Sequence, residues 1–574
     1  MAVLSEYPRP GMRRQSYISL NGVWKYAIRE EETTDSYDGE ILVPYSPEAE
    51  LSGVRRQLLP DQWLHYYRTF EAPPGENGRV LLHFGAVDYL CRVYVNGQNV
   101  GEHRGGYLAF TLDITENLHP EENELIVKVQ DPSDAGTQAR GKQKLQSGGM
   151  YYTAQSGIWK SVWMERVPEN YIREIRLTPE YDQGRIRVQL QAEDPRGADI
   201  VLYGDGKEIT RVQSGEDGEA DLRIPEGERR PWCPEDPFLY EIEIRLGEDS
   251  VRSYTALRKY EIRRDDHGIL RFFLNGKPYF LHGLLDQGYW KEGLYTPPSD
   301  EAMRQDIRRA RSLGFNMLRK HVKIEAERWY YHCDRMGMIV WQDMVNGGGT
   351  YKTWFVTYAA NIFLPLLRGW KDHRYSMTAR TDEKERQRYY EELEEMVWQL
   401  YNHPSIACWT PFNEGWGQFD AGEAVKLLRS LDTTRLVEEA SGWFDQGGGD
   451  FDSIHNYFYP LRVKPDPRRA VLLSEYGGIA CALPGHTQKD KTYGYGIAKN
   501  REELVKRYRE LLIQKVLPQI RHGLSGLIYT QLSDVEEEVN GILTADREEI
   551  KLDPDTAKEC ARMLQTEFFR CVQK

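Results

Sequence analysis

Ile406-Ala407-Cys408-Trp409-Thr410-Pro411-Phe412-Asn413-Glu414 is an apolar run that closes on an amide and a carboxylate. Its length and uniform apolarity suit a strand buried on both faces. Val471-Leu472-Leu473-Ser474-Glu475 repeats the plan. Strands of this kind belong to parallel sheets covered by helices. A carboxylate closing such a strand is costly to desolvate unless it is paired or used.

Working outward, the chain after about residue 263 alternates strand and helix. Strands are expected at about 279–285, 315–320, 338–343, 406–413, 435–440, 452–457, 471–475 and 525–531. Between the first two, Ser299 caps a helix with Asp300 and Glu301 in its first turn, and Gly314 stops it. Met303, Ile307 and Ala310 form its inner stripe; Leu393, Met396, Val397 and Leu400 do the same before the fourth strand. The expected fold for 263–574 is a (β/α)8 TIM barrel, whose chemistry sits at the C-terminal strand ends.

The rest of the chain reads differently. Residues 1–167 are short strands and turns, as in Leu90-Cys91-Arg92-Val93-Tyr94-Val95-Asn96-Gly97, which alternates and ends in a hairpin signal. A jelly-roll β-sandwich is expected there. Residues 168–262 repeat the style on the scale of an immunoglobulin-like β-sandwich. Gly347-Gly348-Gly349 and Gly447-Gly448-Gly449 follow barrel strands and are read either as mobile loops near the site or as flexible turns.

A net charge of −14 over 574 residues argues against a nucleic-acid or anionic-membrane partner. Seven scattered cysteines without a CxxC pair suggest reduced thiols. Met1 to Pro10 has no apolar h-region, so a cytoplasmic protein is expected. No histidine spacing suggests a metal site, and no glycine-rich phosphate loop follows a strand, so no metal and no cofactor are expected.

Glu414 and Glu475, at the ends of the fourth and seventh strands, are positioned to flank a bound sugar. Two carboxyl groups about 5–5.5 Å apart hydrolyse a glycosidic bond with retention, and about 6.5–9.5 Å apart with inversion. Asn413 adds an amide for a sugar hydroxyl. Either glutamate alone would read equally well as a salt-bridged strand-end carboxylate.

Asn413-Glu414 after Pro411-Phe412, and Ser474-Glu475-Tyr476-Gly477-Gly478, resemble glycoside hydrolase family 2. So do Asn21-Gly22-Val23-Trp24, Ser156-Gly157-Ile158-Trp159, Gly314-Phe315-Asn316-Met317-Leu318-Arg319 and Asn402-His403-Pro404-Ser405, in that order along the chain. The resemblance implies Glu414 as acid/base, Glu475 as nucleophile, Tyr457 as the tyrosine bonding the nucleophile and Arg319 as the arginine beside it. Tyr457 reads otherwise as rim packing and Arg319 as a structural ion pair. Asp286, His282, His321, Asp343, Trp354 and Asp534 are further substrate-binding candidates. Gln287, Trp341, Gln342, His455, Asn456 and Asn540 are weaker ones.

The expected activity is a retaining exo-β-glycosidase acting on a glycoside or oligosaccharide, with a homo-oligomer possible. Galactose is the first expectation. Val535-Glu536-Glu537-Glu538-Val539-Asn540-Gly541 replaces the Asn-x-Lys motif of the family's β-glucuronidases, and its acids would repel a uronate unless they point away. A β-glucuronidase, β-galacturonidase or other neutral-sugar glycosidase is the alternative. A non-catalytic carbohydrate-binding protein is the rival of another class.

Overall fold

The computed structural model describes residues 3–75, 77–352, 354–359 and 364–573. Met1, Ala2 and Lys574, at the outer limits of the expected domains, lie outside these.

The first sandwich packs a four-stranded sheet (Ile18–Ser19, Val162–Val167, Arg79–Phe84, Phe110–Asp113) on a six-stranded one (Gly39–Val43, Gly22–Arg29, Trp63–Glu71, Glu122–Gln130, Leu90–Val95, Gln98–Arg104). The strands pair antiparallel within each sheet. Alternation is visible in Leu90–Val95, where Cys91, Val93 and Val95 are buried and their neighbours half-exposed. Asn96 and Gly97, with φ +50° and +76°, make the left-handed turn that joins this strand to the next.

A second sandwich follows, of three strands (Glu174–Glu180, Arg185–Gln191, Glu219–Arg223) and four (Lys207–Gln213, Asp199–Gly204, Tyr240–Leu246, Asp249–Thr255). Between it and the first barrel strand lies a small antiparallel sheet, Tyr260–Arg264, Leu270–Leu274 and Lys277–Pro278. Phe272 and Leu274 from this sheet pack with Leu281, Met317, Ile339, Trp341 and Leu472, and so plug the barrel interior.

The barrel strands are Leu281–Asp286, Met317–Lys320, Ile339–Asp343, Ile406–Thr410, Leu436–Val437, Phe451–Asn456, Ala470–Gly477 and Leu524–Thr530. All are parallel, in hydrogen-bonded order 5-4-3-2-1-8-7-6. The ladder is open between the fifth and sixth strands, because the stretch expected as strand 435–440 pairs only at Leu436 and Val437. Beyond it the buried Glu438 carboxylate takes over the bonding, accepting from Trp341 Nε1 at 2.7 Å, Thr410 Oγ1 at 3.2 Å and Ser453 Oγ at 2.6 Å. Asp450 closes the seam, its N–H donating to Val437 O at 2.7 Å and its Oδ2 accepting from Val437 N at 2.8 Å.

The helix Asp300–Ser312 begins as its sequence directs, with Ser299 accepting from Ala302 N. In Glu383–Leu400 the buried face includes Leu393, Met396, Val397 and Leu400. Among the described residues no helix follows the fifth or sixth strand, and no helix is long and apolar enough to cross a membrane. All seven cysteines are unpaired.

The glycine run 347–349 is neither a free loop nor a spacer. Gly347 pairs with Ala139 of the first sandwich, and a Cβ there would stand 2.3 Å from Gln138 O. Arg140 N and Gly141 N both donate to Asn346 O at 3.0 Å, and Gly348 N to Thr137 O at 2.9 Å. The sandwich loop around residues 137–145 is thereby fastened to the loop after the third barrel strand. In the second run, Gly448 N donates to the Glu439 carboxylate at 3.1 Å, which ties that turn to the barrel as well.

Candidate active site

Five barrel strands aim polar side chains at one point. Arg319 ends the second strand, Asp343 the third, Asn413 and Glu414 follow the fourth, and His455 and Glu475 come from the sixth and seventh. Each lies at a C-terminal strand end, where the peptide leaves the ladder and side chains converge over the barrel axis.

Arg319, fully buried, holds the cluster together. Its Nε donates to Asp343 Oδ1 at 2.9 Å, Nη2 to Asn413 Oδ1 at 2.9 Å, and Nη1 to Ser441 Oγ at 2.7 Å and Glu475 Oε1 at 3.3 Å. Burial works against the guanidinium charge, but Asp343, Glu438 and Glu475 outweigh it and lift its pKa above the ordinary value. Asp343 also accepts His321 Nδ1 at 2.9 Å.

Glu475 is held as an anion. Tyr457 Oη donates to its Oε2 at 2.7 Å, and His455 Nε2 lies 3.7 Å from its Oε1. Burial alone would raise its pKa. His455, His321, Arg319 and Lys142 overcome that and lower it to about 2. Arg319 is the charged group among them that bonds Glu475 directly, whereas burial and Lys142 push His321 well below the ordinary histidine value.

Glu414 has a different setting. Its backbone is left-handed, with φ +52°, uncommon for a residue with a side chain and a conformation that collects at functional sites. Its N–H donates to Ser441 O at 2.9 Å, and its one side-chain bond among the described residues is between Oε1 and His455 Nδ1 at 3.2 Å. One carboxylate oxygen of Glu414, one imidazole nitrogen of His455 and one carboxylate oxygen of Glu475 lie within 4.8 Å of one another. This trio has the ligand types of a divalent-cation site, but Arg319 beside Glu475 already supplies the positive charge. On the surface, His486, Asp546 and Glu548 form a second group of ligand type.

Of the residues singled out from the sequence, Glu414, Glu475, Asn413, Tyr457, Arg319, His321 and Asp343 come together here. Asn413 Nδ2 is buried with no partner among the described residues, a donor left unused. Four others do not join. His282 begins the first strand rather than ending it, roughly 13 Å from Asp286 at the strand rise of about 3.3 Å. There it packs on Phe315, with Nδ1 3.2 Å from Gly314 O, and burial lowers its pKa to about 4.

Asp286 spends both oxygens elsewhere, one on Lys320 Nζ at 2.7 Å and one on Gly288 N at 2.8 Å. Asp534 braces the loop after the eighth strand, accepting from Lys551 Nζ at 2.7 Å and Gly541 N at 2.8 Å. Burial raises its pKa to about 6 against the pull of Lys551. Trp354 is 60% exposed, and among the described residues its ring meets only that of Phe355. A strand-end position says nothing of which partner a side chain finds, so His282, Asp286 and Asp534 look alike in sequence, and Trp354 reads only as a residue of the loop beyond the third strand.

Three contributors were not among the leading sequence candidates. Ser441 bonds Arg319 and also His455 Nε2, at 2.9 Å. Tyr495 stacks on Tyr457 with centroids 3.8 Å apart and planes 9° from parallel. Lys142 reaches the site from the first sandwich. No periodicity marks any of them.

The barrel segment 269–559 matches the model of the glycosyl hydrolases family 2 TIM barrel domain, and residues 41–184 that of the glycosyl hydrolase 2 galactose-binding domain-like family. A β-glucuronidase of Bacteroides fragilis is 26% identical over 510 residues, 81% of this chain and 68% of that protein. A β-galactosidase of Leuconostoc mesenteroides is 25% identical over 451 residues, 73% of this chain but only 38% of that protein. A solved β-glucuronidase of Ruminococcus gnavus superposes with a TM-score of 0.75 at 17% identity, over 98% of this chain and 99% of that one. The barrel, the two sandwiches and the family match agree, and the chain belongs to glycosyl hydrolase family 2.

Proposed function

We propose that this protein is a retaining, exo-acting β-glycosidase whose preferred glycone is a hexuronate. The observation that carries the mechanism is the approach of Glu414 and Glu475, with carboxylate oxygens within 4.8 Å. That suits the about 5–5.5 Å carboxyl separation of retaining enzymes and leaves no room for a water between carboxylate and sugar.

The two environments support separate roles. Glu475, lowered to about 2, is the nucleophile. Glu414, with a single imidazole partner, is the acid/base. In the first step Glu414 gives its proton to the glycosidic oxygen, Glu475 bonds to the anomeric carbon and the aglycone leaves. In the second, Glu414 takes a proton from water, the water oxygen bonds to the anomeric carbon and Glu475 departs. Asn413 Nδ2 is free to donate to a sugar hydroxyl. The fastened sandwich loop closes one side of the mouth, which suits a terminal sugar.

The galactose first expected rested on the acids 536–538. All three are engaged by the first sandwich: Glu536 accepts from Thr153 N at 2.7 Å, Glu537 from Gly149 N at 2.8 Å, and Glu538 from the Tyr152 hydroxyl. These bonds turn the three carboxylates toward the sandwich, which weakens the objection to a uronate, and the Bacteroides relative favours one. The Leuconostoc relative keeps a galactoside as the second reading. Hydrolysis rates on 4-nitrophenyl β-glucuronide, β-galacturonide and β-galactoside decide between them. NMR of the first-formed anomer tests retention: an inverted product would sink the two-step mechanism.

A further inference from the structure

Among the described residues five lysines are buried, and four of them have obvious reasons to be. Lys320 pairs with Asp286 at 2.7 Å and Glu325 at 3.1 Å, and Lys323 with Glu325 at 2.7 Å. Lys551 pairs with Asp534 at 2.7 Å, and Lys160 donates to Tyr107 O at 2.7 Å. The fifth, Lys142, is 7% exposed and makes neither ion pair nor side-chain hydrogen bond among the described residues. Its Nζ hangs 5.9 Å from the ring centroids of both Tyr152 and Trp416, and Trp416 lies two residues beyond Glu414. A lysine this buried that holds its ammonium beside the site without a bonded partner leaves a charged donor ready for a ligand.

The backbone around Lys142 is built to hold it. Its carbonyl accepts Tyr152 N at 3.0 Å, and its neighbours Arg140 and Gly141 are bonded to Asn346 O. The nearby acids 536–538 are each engaged by backbone N–H groups or the Tyr152 hydroxyl rather than by Lys142. The positive field of Lys142 reaches Glu475, yet the two do not touch, and Glu475 already has Arg319 and Tyr457.

We infer that Lys142, delivered by the first sandwich into the barrel mouth, is the anchor for a carboxylate on the glycone. This rests on the glycosidase reading above and deepens it. The missing counter-charge is the substrate's own. A neutral sugar offers the ammonium hydroxyl acceptors but no counter-charge, so the same lysine favours uronosides over galactosides.

The test compares kcat/KM of wild type, Lys142→Met and Lys142→Arg on 4-nitrophenyl β-glucuronide, β-galacturonide and β-galactoside. A charge-assisted hydrogen bond of ordinary strength predicts a loss of about 10–100-fold on the preferred uronoside for Lys142→Met. The galactoside rate should fall by less than the uronoside rate, since both lose the field of Lys142 on Glu475 but only the uronoside loses a bond. Lys142→Arg should recover part of the uronoside rate. Melting curves report folding directly: removing an unpaired buried charge should leave Tm unchanged or raise it. Equal losses on uronoside and galactoside would overturn the assignment, since Lys142 would then serve Glu475 instead; so would no loss on either. Wild type that cleaves the galactoside and no uronoside overturns the glycone reading itself, a failure visible without any variant.

Discussion

Tyr457 Oη lies 2.7 Å from Glu475 Oε2, while the Tyr457 ring is clamped face to face on Tyr495 with centroids 3.8 Å apart. The phenol is thus a fixed donor on the oxygen of Glu475 that Arg319 does not contact. Burial and the nearby Glu475 charge raise the Tyr457 pKa well above its ordinary value, so it stays protonated and donating.

Tyr457→Phe should keep its ring packing and lose only the donor. One hydrogen bond to a charged group is about 1.5–3 kcal/mol, which predicts a fall in kcat of roughly 10–100-fold. Steady-state kinetics with a thermal melt check this; an unchanged kcat would mean that the phenol does not tune Glu475.

The two glutamates should fail differently. Glu475→Gln removes the proposed nucleophile and should cost about 10⁴-fold or more on every substrate. Glu414→Gln removes proton donation, worth about 10²–10⁴-fold on an alkyl leaving group and much less on 4-nitrophenol, which departs unaided. Comparing alkyl and nitrophenyl glycosides on both variants separates the roles. The reverse pattern would exchange them.

Acid stability follows from the Glu475 pKa of about 2. Because folding depresses it, the unfolded chain binds the extra proton, and stability rises with pH across the interval. The contribution is complete above the unfolded value of about 4.3 and is lost as pH falls from there toward about 2. Denaturation of wild type and Glu475→Gln over that window should show the smaller pH slope in the variant. Parallel slopes would show that Glu475 ionisation is not coupled to folding.

Much of the architecture could be read locally. The alternation in Leu90–Val95, the Asn96-Gly97 turn and the Ser299 cap are short-range patterns, set by pleat, sterics and capping within a few residues. The apolar runs into Glu414 and Glu475 likewise mark buried parallel strands. The fifth strand was overread because side-chain bonds from Glu438 and Asp450 stand in for a ladder, which apolarity cannot reveal.

Residue identity at the strand ends was therefore settled by the order of amino acids alone, since period and burial are properties of neighbouring positions. Tertiary structure alone decided which ends meet. It sent Asp286 and Asp534 to lysines and His282 to the far end of its strand, and brought Glu414 to Glu475. It also turned Glu536, Glu537 and Glu538 toward a sandwich some 380 residues earlier in the chain and drew Lys142 from that sandwich to the barrel mouth. Those outcomes depend on how separate domains dock, and docking is governed by contacts between positions that carry no mark of one another in sequence.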